Sequence, residues 1–137
     1  MAITKKAGRQ EVIVAAADFT FADLTSGSYD AAIDLPVNAV VVGGNLAITT
    51  IFNSATTDKF SIGDKEGSAS AVATTYAAQS ADITAAGIVA IVPTGKKYAS
   101  AGSVGVAWTG DGTAPTAGVG RLTVMYMVDG RSEFTQG

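Results

Sequence analysis

Trp108-Thr109-Gly110-Asp111-Gly112-Thr113-Ala114-Pro115-Thr116-Ala117-Gly118 runs on through Val119-Gly120 into Arg121-Leu122-Thr123-Val124-Met125-Tyr126-Met127-Val128-Asp129-Gly130-Arg131. The first part is dense in Gly, Asp, Pro and Thr, the residues that turn a chain. The second alternates: Leu122, Val124, Tyr126 and Val128 share one side, and Arg121, Thr123, Met125 and Met127 share the other. That is the pattern of a strand with two unlike faces. Nothing in the stretch is suited to chemistry, so it builds a surface. Methionines projecting from a sheet face make an adaptable contact patch, which marks Met125 and Met127 as candidate contacts.

The same grammar extends upstream. Glu11 to Phe21 reads as a strand with Ile13, Ala15, Ala17, Phe19 and Phe21 on one face. Tyr29, Ala31, Ile33 and Leu35 alternate with Asp30, Ala32 and Asp34, a half-buried strand that Pro36 ends. From Ala39 to Phe52, two apolar stretches flank Gly43-Gly44-Asn45, which fits either a tight hairpin or a bulge in one long strand. Phe60 and Ile62 form a short strand, followed by a surface turn at Gly63-Asp64-Lys65-Glu66-Gly67.

Ser68 to Ala86 has only Val72, Tyr76 and Ile83 as large apolar groups, so it is expected to be a long loop with one helical turn. Such an excursion is a candidate partner contact, with Tyr76 at its centre. Ile88 to Val92 then forms a continuous apolar strand, and Lys96, Lys97 and Tyr98 begin the return. Val104, Val106 and Trp108 share a face, with Gly105 and Ala107 opposite. The whole predicts an all-β fold: one domain over residues 1–137, an antiparallel two-sheet sandwich, a jelly roll of about eight strands.

Composition prunes the functions. The 137 residues are 47% hydrophobic but only 15% charged, where about 25% charged is usual. Surface poor in charge is easier to desolvate against a partner. A net charge of −3 gives no long-range attraction to nucleic acid. No apolar run approaches the ~18 residues of a membrane helix, and the apolar run Val12 to Ala17 is too short for an export signal. Three cations, Lys5, Lys6 and Arg9, give residues 1–10 the character of a flexible basic arm, able to dock on an acidic surface.

The chain has neither cysteine nor histidine. A thiolate nucleophile, a disulfide framework and an imidazole base are therefore all unavailable, and no enzyme is expected. Thr94-Gly95-Lys96-Lys97 echoes a phosphate-binding loop but lacks its first glycine and the hydroxyl residue after lysine, so it reads as a turn. Asp30, Asp34, Asp58, Asp64 and Glu66 read as solubilising groups at turns and strand ends, without the ligand spacing of a calcium loop. No cofactor and no metal is expected.

Gly112-Thr113-Ala114-Pro115-Thr116-Ala117-Gly118 with Arg121-Leu122-Thr123-Val124 and Val128-Asp129-Gly130-Arg131, and the earlier Phe60-Ser61-Ile62-Gly63-Asp64 and Pro93-Thr94-Gly95 with Tyr98, carry a resemblance. They resemble the jelly-roll cementing, or decoration, proteins on the outside of short-tailed bacteriophage heads, such as that of a Bordetella phage. The resemblance covers the second half in detail and the first half in style. It implies a virion protein bound to the major capsid protein on the outer head surface, holding capsomers together as a homo-oligomer, a dimer foremost. The contacts expected from it are Lys5, Lys6, Arg9, the 68–86 loop, and Arg131 and Phe134 in the tail. Two other classes fit the composition: a tail fibre or baseplate component, and a carbohydrate-binding module in which Trp108 or exposed tyrosines stack on sugar rings.

Overall fold

The computed structural model describes residues 11–54 and 57–130. Its eight strands are β1 (Ile13–Thr20), β2 (Tyr29–Leu35), β3 (Ala39–Thr50), β4 (Asp58–Glu66), β5 (Val72–Ala77), β6 (Gly87–Ala90), β7 (Gly102–Gly110) and β8 (Val119–Val128). They form two four-stranded antiparallel sheets, ordered β1-β8-β3-β6 and β2-β7-β4-β5. The pairs β1·β8, β2·β7, β3·β6 and β4·β5 nest inside one another along the chain and alternate between the sheets. That nesting is the jelly roll: one long hairpin wound into two layers.

The inner faces follow from alternation. Leu122 and Val124 on β8, Leu46 and Ile48 on β3, Phe60 and Ile62 on β4, and Val104, Val106 and Trp108 on β7 are buried between the sheets. Phe52 sits among three aromatic partners, with ring centroids 6.5 Å from Phe19, 5.1 Å from Phe60 and 5.5 Å from Trp108. Opposite the Val104–Val106 face, the small residues of β7 let the Tyr29 ring lie over Gly105, where its hydroxyl and that of Ser103 share a hydrogen bond of 2.9 Å.

Gly43-Gly44-Asn45 lies within one long strand, β3, whose register to β8 shifts between Val41 and Gly43. The bulge, and not the hairpin, is realised because β3 must cross the full sheet between β8 and β6.

Several expectations are corrected. β1 stops at Thr20, and Phe21 opens a short 3-10 turn, Phe21–Asp23, where Thr20 N–H donates to the Asp23 carboxylate. Residues 68–86 are not one long loop: Val72–Ala77 is the edge strand β5, paired with β4. Small residues suffice there because one large side chain, Tyr76, 1% exposed, anchors the strand in the core beside a buried Ala77. Gly63–Glu66 is strand and not turn, and only at Gly67 does the chain reverse. β6 ends at Ala90, and the predicted return after it is reduced to an isolated bridge between Val40 and Lys97.

Candidate interaction surface

Three places concentrate distinctive chemistry: the two closed ends of the sandwich and the outer face of the β1-β8-β3-β6 sheet. The ends are sealed by carboxylates. Asp58 and Asp64 lie on the same side of β4 as Phe60 and Ile62, and both are buried.

At one end Asp64 accepts hydrogen bonds from Lys96 Nζ at 2.7 Å, Tyr98 OH at 2.8 Å and Thr75 Oγ1. Tyr76 and Tyr98 share a further hydroxyl hydrogen bond of 2.6 Å. Burial pushes the Asp64 carboxyl up, but the donors from Lys96, Thr75 and Tyr98 outweigh it and hold it below the usual carboxylate range. Burial also raises the Tyr98 hydroxyl, which is saturated by Tyr76 and Asp64. Both carboxylate oxygens of Asp64 are occupied by fixed donors, an arrangement that ties loop to strand rather than presenting an acid to a substrate.

At the other end Trp108 Nε1 donates to Asp58 Oδ1 at 3.0 Å, and Ser54 Oγ donates to the same oxygen at 2.8 Å. Asp58 and Asp64 are therefore structural groups and not solubilising ones. Their alternation with Phe60 and Ile62 is the signal that places them inside. Trp108 is 4% exposed with its N–H engaged, so no indole face is open for a sugar ring. Beside it lies a recess of about 380 Å³, walled by Phe21, Leu24, Trp108 and Pro115 with Ser26 and Asp111 at its polar side.

The outer face of the β1-β8-β3-β6 sheet is different in kind. Cross-strand rows run Val14–Met125–Gly43, Ala16–Thr123–Asn45–Ala90 and Asp18–Arg121–Ala47–Ile88. Among the described residues, Asp18 and Arg121 are the charged side chains of these rows, and they neutralise each other through two hydrogen bonds of 2.7 and 3.1 Å. Arg121 holds the Asp18 carboxyl below its ordinary value. The rest is uncharged, its polar members being Thr123 and Asn45, with Val14, Val42, Met125 and Ile88 exposed. A broad, weakly ionic sheet face is easy to desolvate, the property expected of a contact surface.

The predicted contacts divide accordingly. Met125 is exposed on this face and Met127 is half-buried on it. Tyr76, expected to contact a partner, is instead a core residue: its ring is buried and its hydroxyl bonds Tyr98. Lys5, Lys6, Arg9, Arg131 and Phe134 lie outside the described residues. No helix among the described residues is long and apolar enough to cross a membrane. None of their acidic groups forms a cluster of three or more that would hold a metal ion.

No protein-family model matches this chain, and no curated protein does. Solved structures do match. A chain of the cyanophage Pam1 capsid asymmetric unit is 21% identical with a TM-score of 0.62, over 93% of this chain and 91% of that one. A chain of the Ralstonia phage GP4 capsid is 19% identical with a TM-score of 0.56, over 96% and 92%. A chain of the acid-stable capsid of Helicobacter pylori bacteriophage KHP30 is 15% identical with a TM-score of 0.54, over 87% and 93%. At these identities the likeness establishes a shared jelly-roll fold.

Proposed function

We propose that this chain is a structural protein of a tailed-bacteriophage virion, without catalytic activity, that binds the outer surface of the head and stabilises contacts between capsomers. The observation that carries the reading is the match, along nearly the whole chain, to chains in three phage capsid structures. The weakly ionic outer sheet face supports it, since it offers a lattice partner a surface with little desolvation cost. The partner is the major capsid protein, and the chain acts as a dimer bridging neighbouring capsomers. The mechanism is linkage: a protein that binds only the assembled lattice adds its binding free energy to that lattice's stability, repeated at every site.

Mixing the purified full chain with heads assembled without it, followed by sedimentation, tests the proposal. The chain is expected in the pellet at micromolar concentration, and decorated heads are expected to withstand heating that opens bare ones. A chain that stays in the supernatant overturns the reading. Immunogold label on tails instead of heads would replace it with a fibre or baseplate role.

A further inference from the structure

The jelly roll leaves four edge strands: β1 and β6 in one sheet, β2 and β5 in the other. Unpaired edges recruit other chains unless charge, proline or a bulge guards them. β1 carries Asp18. β2 carries Asp30 and Asp34 and is bulged between Ala31 and Ile33. β5 has a broken register to β4, and its Tyr76 carbonyl already accepts the Val92 N–H. β6 has none of these guards: Gly87-Ile88-Val89-Ala90 is uncharged, regular against β3, and exposes Ile88 at 70%.

The direction of its free backbone groups follows from the ladder. Ile91 N–H donates to the Gly44 carbonyl, so by antiparallel alternation Val89 and Gly87 also turn their N–H and C=O toward β3. Ile88 and Ala90 therefore turn theirs toward the open side. Ile88 also stands at the rim of a shallow apolar depression formed with Ala47, Thr49, Ala86 and Gly87. An uncharged edge on which a protruding Ile88 stands two residues from a small Ala90 suits an identical partner: a two-fold contact sets each copy's Ile88 against the other's Ala90, and no like charges meet.

We propose that β6 pairs antiparallel with β6 of a second copy about a two-fold axis at Val89, making one continuous eight-stranded sheet. In that register Ile88 lies opposite Ala90 of the second copy, large against small, and the two copies exchange backbone hydrogen bonds at both such pairs. The two weakly ionic outer faces then lie side by side as one surface. This deepens the self-association in the proposed function by naming its surface.

Sedimentation velocity on the full chain tests it, with Ile88→Lys and Ala90→Pro as disrupting variants. Both positions project away from the core on an edge strand, where lysine and proline are tolerated. The wild type is expected to be dimeric at tens of micromolar. Either variant is expected to weaken the dimer by at least about tenfold, because each edge loses a donor or gains a like charge. Val14→Lys, on the far edge of the same sheet, is expected to leave the dimer unchanged.

The register has its own test, since the chain has no cysteine of its own. Val89→Cys places two thiols across the axis in a non-hydrogen-bonded pair and is expected to cross-link on mild oxidation, whereas Ile88→Cys is not. A monomeric wild type overturns the edge pairing and the bridging dimer together. A dimer indifferent to Ile88→Lys and Ala90→Pro, with no Val89→Cys cross-link, overturns the edge pairing alone. Head binding is read separately by pelleting.

Discussion

Asp58 and Asp64 stand six residues apart on β4, so both carboxylates point into the sandwich, one near each end, with Phe60 and Ile62 between them. At a rise of about 3.3 Å per residue, they are roughly 20 Å apart. Each ties a connection to the core. Asp58 holds the segment after β3 through Ser54, and Asp64 holds the segment before β7 through Lys96 and Tyr98. These bonds fix the connecting segments at the two ends of the sandwich.

Asp64→Asn is expected to destabilise the fold by about 3 kcal/mol, the scale for removing one partner of a buried, hydrogen-bonded ion pair. The amide keeps one acceptor oxygen and puts an NH2 donor in place of the other, so either Thr75 on one side or Lys96 and Tyr98 on the other face a donor where they had an acceptor. Guanidinium unfolding monitored by the single tryptophan measures this. A loss under about 0.5 kcal/mol would mean that the network is not holding the loop.

The same end of the sandwich makes the fold acid-sensitive. Asp64 is held below its ordinary value despite burial, and Glu66 is held down first by the Ala99 N–H, helped by Lys96 and the Ser100 N–H against desolvation. A depressed folded value means that the unfolded chain binds more protons. Stability is therefore fully present above the ordinary carboxylate range near pH 4 and falls as pH drops through the folded values. Urea midpoints between pH 6 and pH 2 should decline below about pH 4 in the wild type and more gently in Asp64→Asn. Equal slopes would assign the acid sensitivity to other carboxylates.

Alternation made most of the fold legible. The faces of β7 and β8 follow directly from Val104-Val106-Trp108 and Leu122-Val124-Tyr126. β5 escaped because its residues are small: a strand buried through one large ring, Tyr76, has no periodic apolar signal. Asp64 escaped because a carboxylate beside Gly63 and Lys65 looks like a turn, and only its distant partners Thr75, Lys96 and Tyr98 make its burial tolerable. Alternation with Phe60 and Ile62 puts Asp64 on the inner face, while the partners that make its burial tolerable come from pairing across the chain. Ile88 to Val92 reads as an apolar strand in the sequence, but its place at the sheet edge does not, because the order of strands in a sheet cannot be seen in a single run of residues.

Trp108→Phe is expected to cost about 2 kcal/mol, because it removes the indole donor while leaving Asp58 buried with only the Ser54 donors. Trp108→Phe with Asp58→Asn should cost less than the sum of the two single changes, since the pair acts together. Additive losses in the same guanidinium titrations, followed by circular dichroism once the tryptophan is gone, would show that the Trp108–Asp58 bond contributes nothing specific.

Gly43 and Gly44 are neighbours that follow the β3 bulge, yet they are expected to respond oppositely to alanine. A Cβ on Gly43 would come 2.7 Å from the terminal methyl of Met125, a flexible side chain on an open face that can swing aside. Gly43→Ala should therefore cost less than about 1 kcal/mol, within the range of ordinary surface changes. Gly44 has φ +131°, and a Cβ there would run into the Thr123 carbonyl of β8, which is backbone and cannot move without breaking the ladder. Strain at such a φ costs about 1–3 kcal/mol before the collision is counted. Gly44→Ala should lose at least about 3 kcal/mol or fail to fold, and thermal unfolding of the two variants side by side decides the matter: similar midpoints would mean that β3 does not approach β8 closely at Gly44.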